Sequence, residues 1–456
     1  MKKVMNIVCL GASLTLLSAC SFAPKSVADA PRMDRSKLLI GGYCFKKPLH
    51  SESYVKDLKE CGIDFVVTGV TPDDVQILDI LEKYSIGAVV SGALPSWWGG
   101  DGSKAGQLRK THPVAKYEQR IDEFLKKVSH HPAVWMVDIC DEPSALDLPY
   151  LGEMSSLVMK KSPKTIPYLN LYPNYASVSQ NTASQTVNQL GTPTYKEHID
   201  VYCRTSPLDY ISYDYYVYSR GKNSSWLMTK MYDNYNTVAD ACRRTGRSMW
   251  YIPQVNSRPG NEYLPTTTNM LRFQAYTSMA FGAEAISWAC LMKGWWTNNV
   301  YTVKGEKTEQ FEKLKEVNAE LHRLGPMYMR YRNTATHYID FDSVVKAEAL
   351  NVPFLEELDA GWIFNLGTEE NTPLLVGEMA PHAAYDSSRA LFVVPTGDAY
   401  DKKSAVRKVS FSLPVGSSVK AFGGKGEITV ERSQEGKYSF DLPESAGALL
   451  IVTKES

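Results

Sequence analysis

VWMVDICDEPS, residues 134 to 144, is an apolar run that ends abruptly in two adjacent acids and a proline. A carboxylate is costly to bury unless it is paired or serves a site. We therefore interpret the run as a buried strand that carries Asp141 and Glu142 to a functional edge. Asp138 lies inside the run and needs a partner if it faces inward, either as a member of a structural pair or as a support for the site.

The same unit, a short apolar run followed by a loop and an amphipathic helix, recurs from residue 38 onward. Near-continuous apolar runs are typical of strands that are covered on both faces. The eight predicted strands are LLIGGYCF (38–45), DFVVTGV (64–70), IGAVVSGAL (86–94), VWMVDIC (134–140), IPYLNLY (166–172), LDYISYDYY (208–216), SMWYIPQV (248–255) and AEAISWACL (283–291). Eight strands alternating with helices predict an α/β fold, a (β/α)8 TIM barrel over residues 37–330. A doubly wound open sheet is the second interpretation, disfavoured because no Gly-rich phosphate loop follows the first strand.

The last barrel helix and the segment after it show where the pattern changes. Residues 309–324 have helical spacing, and Gly325-Pro326 predicts that this helix ends there. Beyond residue 330 come short β-like runs separated by Gly, Pro, Asp and Ser turns. They predict a small antiparallel β-sandwich domain over residues 335–456.

The N-terminus has the pattern of a targeting segment. Lys2 and Lys3 precede an apolar run that is too short to span a bilayer comfortably, and LSAC, ending at Cys20, resembles a bacterial lipobox. The resemblance implies that residues 1–20 are a signal peptide and that Cys20 is lipidated; an uncleaved anchor is the alternative. Residues 21–36 are small, polar and Pro-containing, which predicts a tether. We expect a protein of the cell envelope, on the periplasmic or cell-surface face of the outer membrane, that meets the membrane through this lipid anchor only.

The charge balance and the cysteine spacing indicate which partners and ligands the protein is expected to bind. Lys+Arg and Asp+Glu number 50 each, and this balance disfavours nucleic acid as the main partner. The six cysteines beyond the N-terminal segment lack CxxC spacing, so no metal site is predicted and disulfide pairing stays open. No metal or organic cofactor is expected, and the oligomeric state stays open.

One rim of the predicted barrel collects the polar and aromatic side chains that could form a site, because active sites of this fold form where the strands end. Side chains alternate along a strand, so Tyr216 shares a face with Asp214, whereas Tyr213 and Tyr215 point the other way. Carboxylates and amides can bind sugar hydroxyls, and aromatic rings offer flat apolar faces to sugar rings. The predicted binding residues of this carbohydrate site are Asn170, Tyr172, Tyr216, Gln254, Asn256, Trp288, Trp295, Trp97 and Trp98.

Asp141-Glu142-Pro143 at the end of the fourth strand resembles the Asn-Glu-Pro acid/base motif of the clan A glycoside hydrolases. Trp288 in the eighth strand and the order of barrel and sandwich are also similar to that clan, so the resemblance covers most of the chain. It implies that Glu142 is the general acid/base and that Asp141 occupies the position that binds the sugar 2-hydroxyl.

The chain departs from the clan at the seventh strand. The clan has a nucleophilic Glu there, and this sequence has Gln254, whose neutral amide cannot form a covalent glycosyl-enzyme. The second catalytic carboxylate would then be Asp214, which we favour, or Glu262. The enzyme could instead invert, with its carboxyl groups ~6.5–9.5 Å apart rather than the ~5–5.5 Å of retaining pairs. The sequence thus predicts a glycoside hydrolase acting on a poly- or oligosaccharide, with a non-catalytic carbohydrate-binding lipoprotein on a degenerate barrel as the alternative.

Overall fold

The fold is a closed parallel barrel followed by two antiparallel sheets. The computed structural model describes residues 31–94, 105–176, 189–219, 225–259, 265–339, 354–355, 358, 361–397, 400 and 404–454. The described residues from Pro31 onward belong to one compact unit. No helix among them is long and apolar enough to cross a membrane.

Eight parallel strands form the barrel, and each lies within one of the eight runs predicted from the sequence or within one residue of it. The strands are β1 (Leu39–Tyr43), β2 (Phe65–Val70), β3 (Gly87–Val90), β4 (Val134–Asp141), β5 (Ile166–Leu171), β6 (Tyr210–Asp214), β7 (Ser248–Ile252) and β8 (Ala283–Trp288). β1 pairs with β8 in parallel, Leu39 opposite Ala285, and this pairing closes the sheet. The predicted TIM barrel is confirmed, and the open doubly wound sheet is excluded.

Helices surround the barrel in the order that the sequence predicts. They are α1 (Glu52–Glu60), α2 (Val75–Lys83), α3 (Leu108–Thr111), α4 (Val114–Val128), α5 (Leu148–Lys161), α6 (Tyr195–Thr205), α7 (Ser225–Thr245), α8 (Thr268–Ala280) and α9 (Glu309–Tyr328). The predicted end of α9 before Gly325-Pro326 is wrong, because the helix continues to Tyr328. Tyr328 is buried and its hydroxyl donates to the carbonyl of Met279 at 2.9 Å. This packing outweighs the unfavourable effect of a proline near the end of the helix.

The end of the predicted tether packs against the barrel. The Arg32 guanidinium donates to the carbonyls of Val134, at 3.1 Å, and Ser129, at 2.6 Å, and Met33 is buried. Arg35 forms an ion pair with Asp209, next to the start of β6. Residues 31–36 therefore belong to the folded unit, and the rest of the predicted tether lies outside the described residues.

The C-terminal region forms the two antiparallel sheets of the predicted sandwich. The strands are β9 (Tyr331–Ile339), β10 (Phe354–Leu355), β11 (Phe364–Thr368), β12 (Leu374–Pro381), β13 (Arg389–Pro395), β14 (Val406–Ser412), β15 (Ser417–Gly423), β16 (Gly426–Ile428), β17 (Glu431–Arg432), β18 (Tyr438–Pro443) and β19 (Ala448–Lys454). One sheet has the order β10-β9-β12-β13-β19-β15-β16, antiparallel except for the short parallel pair β10-β9, and the other has the order β11-β14-β18-β17. β9 begins at Tyr331, four residues before the predicted domain start, because this strand pairs with β12 along its whole length.

The larger sheet contacts the barrel with one face and the smaller sheet with the other. Along β13, Leu391 and Val393 belong to the core between the two sheets, whereas Phe392 belongs to the core shared with the barrel. Phe392 lies against Tyr276 of α8, with ring centroids 6.4 Å apart. This alternation follows from the two-residue period of a strand. It makes the sandwich a support for the side of the barrel formed by α8 and α9.

Candidate active site

A cavity of about 280 Å³ opens at the carboxyl ends of the barrel strands. This is the end at which TIM-barrel enzymes have their active sites. Acids, an amide and aromatic rings share its wall, and the lining residues are Tyr43, Asp141, Glu142, Asn170, Asp214, Tyr216, Ile252 and Trp295. Six of these eight residues were predicted as site residues from the sequence; the prediction omitted Tyr43 and Ile252. A second cavity, of about 820 Å³, lies at the opposite end, beside Ser248 at the start of β7.

An irregularity in β4 brings two of its aspartates to the same side. Asp138 and Asp141 are three residues apart, so a regular strand would point them to opposite faces. The pairing of β4 with β5 shifts register between Asp138 and Cys140. Such a bulge re-aims the side chains beyond it. Asp138 accepts a hydrogen bond from the Ser91 hydroxyl at 3.0 Å, and this serine is the partner that an inward-facing carboxylate needs.

The chain turns sharply at Glu142. Its φ is +47°, a left-handed conformation that is rare for a residue other than glycine and costs roughly 1 kcal/mol or more. The Glu142 amide donates to the carbonyl of Asn170 at 2.9 Å, which fixes the turn against β5. Backbone strain of this kind is concentrated at functional sites. Glu142 is half-buried and lines the cavity.

Asn170 connects the two aspartates that end β4 and β6. Its Nδ2 donates to Asp141 Oδ1 at 3.2 Å and to Asp214 Oδ1 at 2.9 Å. These two oxygens therefore lie at most 6.1 Å apart, the sum of 3.2 and 2.9 Å. The Ser212 hydroxyl donates to Asn170 Oδ1 at 3.0 Å and so sets the orientation of the amide.

The enclosed position of these acids raises their pKa values. Burial, reinforced by the negative charge of Asp141, raises the pKa of Asp214 to about 7, and the hydrogen bond from Asn170 opposes the rise. Burial also raises the pKa of Asp141, and the hydrogen bond from Asn170 opposes this rise. The side chain of Asp141 is nevertheless open to the cavity. The pKa of Asp138 rises to about 6, first through burial and then through the charge of Asp141. A carboxyl group that titrates near neutral pH suits a group that exchanges protons during a reaction.

Three aromatic rings that line the cavity lie next to one another. The ring of Trp295 lies 5.6 Å from that of Tyr216 and 6.4 Å from that of Tyr43. Asn256 donates from Nδ2 to the carbonyl of Trp295 at 2.6 Å and thereby fixes the loop that carries this ring. The indole N–H of Trp295 is buried and has no hydrogen-bond partner among the described residues.

Four predicted binding residues lie near the rim without lining this cavity. Gln254 is fully buried: its side-chain Oε1 accepts from the backbone amide of Tyr218 at 2.9 Å, and its Nε2 donates to the backbone carbonyl of Asn256 at 3.0 Å. Trp288 is also fully buried and donates to Asn318 Oδ1 of α9 at 2.8 Å, so it packs outside the barrel. Asn256 acts on the cavity through Trp295, as described above.

Tyr172 is the fourth of these residues. Its side chain is 2% exposed and its ring lies 6.2 Å from that of His198 of α6. Burial raises the pKa of this phenol, and the negative charge of Glu142 adds to the rise. The Tyr172 hydroxyl has no partner among the described residues.

The remaining predicted site residues lie outside the described residues. They are Trp97, Trp98, the alternative carboxylate Glu262 and the predicted lipidation site Cys20. Among the residues that the structure does describe, no group of three or more His, Cys, Asp and Glu side chains could hold a metal ion.

Of the two residues omitted from the prediction, Tyr43 had a usable signal. It ends β1 and therefore lies at the same rim as Asp141 and Asp214. Its hydroxyl forms a hydrogen bond with that of Tyr168 inside the barrel. Ile252, at the end of β7, has an apolar side chain that no motif distinguishes from the core.

Comparison with known proteins identifies the fold. No protein-family model matches the chain, and no curated protein matches it. Solved structures similar to it include a β-galactosidase from Bacillus circulans sp. alkalophilus, with 10% identity, 92% of this chain and 99% of that chain covered, and a TM-score of 0.53. They also include a cold-adapted β-galactosidase from Rahnella sp. R3, with 10% identity, coverage of 92% and 98%, and a TM-score of 0.49. The likeness to the Bacillus structure extends over nearly the whole of both chains and shows a shared fold.

Proposed function

We propose that the protein is a glycoside hydrolase that cleaves a glycosidic bond in a poly- or oligosaccharide. The observation that carries the proposal is the grouping of Asp141, Glu142 and Asp214 around one cavity at the carboxyl ends of the barrel strands, together with the ring of Trp295. Two carboxyl groups are the usual requirement of glycosidic hydrolysis, one to protonate the leaving oxygen and one to act at the anomeric carbon.

Glu142 is the proposed general acid. Its carboxyl proton passes to the glycosidic oxygen while the bond from that oxygen to the anomeric carbon breaks, and this leaves Glu142 as a carboxylate. The turn at Glu142 is fixed by the hydrogen bond from its backbone amide to the carbonyl of Asn170, which supports the assignment because a catalytic side chain needs a defined direction.

Asp214 is the proposed second carboxylate. It either takes a proton from the water that attacks the anomeric carbon or attacks this carbon itself, and both roles require the ionised form. With a pKa of about 7, Asp214 is about half ionised at neutral pH. We therefore expect the hydrolytic activity to rise with pH as Asp214 loses its proton.

Asp141 and Asn170 are the proposed positioning pair. Asn170 donates to Asp141 and to Asp214, so a change in either carboxylate affects the amide that they share. The side chain of Asp141 is open to the cavity, which leaves its second oxygen available to a sugar hydroxyl. Trp295 and Tyr216 would cover one face of the sugar.

A non-catalytic carbohydrate-binding protein is the second candidate. Gln254 favours it. This residue follows β7, where the clan A resemblance requires a nucleophilic Glu, and its side-chain amide is hydrogen-bonded to other parts of the protein. In either case the N-terminal sequence supports an exported, lipid-anchored protein that meets glycans outside the cytoplasm.

The test is hydrolysis of a panel of aryl glycosides and oligosaccharides by the wild type, Glu142→Gln and Asp214→Asn. Matched controls are Glu153→Gln on α5, an exposed residue that pairs with Arg109, and Asp209→Asn, which lies before the opposite end of β6. We expect turnover by the wild type and both controls, and losses of at least ~100-fold in Glu142→Gln and Asp214→Asn.

The outcomes separate the two candidate functions. Loss in Glu142→Gln alone would show that another group is the second carboxylate. A wild type that binds oligosaccharides from the panel and hydrolyses none of them would support the binding protein and contradict the hydrolase.

A further inference from the structure

Cys44 follows β1 directly, and Cys290 lies two residues beyond the end of β8 at the same rim. The last pair in the register of these strands is Gly42 opposite Trp288. Beyond it the amide of Leu291 donates to the carbonyl of Tyr43 at 2.7 Å, so the two chain segments stay adjacent with their pairing shifted by one residue. Cys44 and Cys290 therefore lie on neighbouring segments of the rim.

The two sulfurs lie close together. Cys44 Sγ and Cys290 Sγ are both within 3 Å of the point that a Cβ on Gly294 would occupy, and both residues are buried. Gly294 encloses the pair: a Cβ at this position would overlap Cys290 Sγ and lie 2.9 Å from Cys44 Sγ. The backbone on this side therefore approaches both sulfurs closely, which limits the directions in which they can separate.

The two sulfurs differ in reactivity. The hydrogen bond to Cys290 lowers the pKa of Cys44, and the charge of Lys46 lowers it as well, against the effect of burial. Burial raises the pKa of Cys290 well above its ordinary value. Because the thiolate is the nucleophile of thiol–disulfide exchange, Cys44 is suited to react first and Cys290 second.

We propose that Cys44 and Cys290 are a modification site that forms an intramolecular disulfide. The oxidant is a small-molecule or protein disulfide. The Cys44 thiolate attacks one sulfur of this disulfide and releases the other as a thiol; Cys290 then gives up its proton, attacks Cys44 Sγ and releases the second thiol. Two protein thiols are oxidised and one external disulfide is reduced to two thiols, so the exchange is balanced. The exchange takes place late in folding, once Cys44 lies beside Cys290 and Lys46 and before the segment around Gly294 covers the two sulfurs.

The disulfide would connect two parts of the aromatic wall. Cys44 follows Tyr43, and Cys290 packs against the loop of Trp295, because a Cβ on the adjacent Gly294 would overlap Cys290 Sγ. Asn256 Nδ2 also donates both to Cys290 Sγ, at 3.6 Å, and to the carbonyl of Trp295. Tyr43 and Trp295 both line the cavity. The bond between β1 and β8 therefore fixes the position of this wall and joins the first and last strands of the barrel.

The experiment refolds the full chain in a mixture of oxidised and reduced glutathione, traps free thiols with an alkylating agent after unfolding, and maps the cysteines by mass spectrometry. We expect a linked peptide that contains Cys44 and Cys290 and has lost two hydrogen atoms. Alkylation of both residues should be ~10-fold or more below that of Cys61, a buried cysteine whose thiol donates to the carbonyl of Phe311.

Two variants make the result specific. Cys44→Ser should leave Cys290 as a free thiol, whereas Cys61→Ser should keep the link. Reducing agent should lower the thermal midpoint of the oxidised wild type and of Cys61→Ser, and leave that of Cys44→Ser unchanged. Full alkylation of Cys44 and Cys290 in the refolded wild type, or a link from either one to glutathione or to a different cysteine, would overturn the proposal. None of these readouts depends on hydrolytic activity.

Discussion

Replacing Asp214 by asparagine should stabilise the protein at alkaline pH while it removes activity. Asp214 is 5% exposed, and burial together with the charge of Asp141 raises its pKa from 3.8 to about 7. A raised carboxyl pKa means that the folded state binds a proton which the unfolded chain releases. The contribution of this proton to stability is complete below pH 3.8 and is lost as pH rises to about 7.

The size of the effect follows from the two pKa values. One pKa unit corresponds to ~1.4 kcal/mol, so the rise from 3.8 to about 7 corresponds to about 4 kcal/mol of unfolding free energy above pH 7. The asparagine side chain in Asp214→Asn avoids this cost because it is neutral, and its carbonyl oxygen can still accept the hydrogen bond from Asn170. The gain should be largest at pH 8 and close to zero at pH 4.

The assay is urea unfolding of the wild type and Asp214→Asn at pH 4, 6 and 8, with Asp209→Asn as the control. Asp209 is 72% exposed and pairs with Arg35, so its replacement should change stability by no more than ~1 kcal/mol at any of these pH values. The reasoning is refuted if Asp214→Asn is no more stable than the wild type at pH 8, or if its effect is independent of pH.

Three further changes test the neighbours of Asp214. Asn170→Ala removes the amide that favours the ionised form of Asp214. In a pH–rate profile, the midpoint of the rise of kcat/KM with pH should therefore shift to higher pH by about one unit. Trp295→Ala removes one wall of the cavity and should raise KM about tenfold, ~1.4 kcal/mol, with a smaller effect on kcat; equal KM values would contradict the role of this ring. Trp288→Phe leaves the buried Asn318 Oδ1 without its donor and should lower the unfolding free energy by roughly 1–3 kcal/mol with KM unchanged, since Trp288 packs outside the barrel.

The sequence predicted the barrel well because each of its strands is apolar enough to be recognised alone. The runs 134–140 and 283–291, for example, are each identified as strands from their own residues alone. The total of eight such runs then indicated the closed sheet. Helix α9 was more difficult, because Gly325-Pro326 is a strong stop signal locally. The contact that carries the helix past it, from Tyr328 to Met279, joins residues 49 positions apart.

The site was predictable where position along a strand decides the direction of a side chain. Asp214 and Tyr216 share a face and both line the cavity, whereas Tyr213 packs against Tyr235 of α7, as alternation predicts. Alternation could not assign Asp138 and Asp141 to the same side, because this depends on the register shift between β4 and β5.

The direction of the Gln254 side chain could not be predicted from the sequence either. Its partners, the amide of Tyr218 and the carbonyl of Asn256, become its neighbours only when the loops fold. A residue type at the end of a strand therefore indicates a candidate, and tertiary hydrogen bonds decide whether its side chain reaches the cavity. Asn170 is the opposite case, an amide whose partners are the two aspartates at the cavity itself.

The most direct test of the central claim compares two substrates that share one sugar and differ in the leaving group. A dinitrophenolate departs without protonation, whereas the alcohol of an oligosaccharide needs a proton from a general acid. Glu142→Gln should retain turnover of the dinitrophenyl glycoside within about tenfold of the wild type and lose at least ~100-fold on the oligosaccharide. Equal losses on both substrates, or full activity of Glu142→Gln on the oligosaccharide, would contradict the assignment of Glu142 as the acid of a hydrolase.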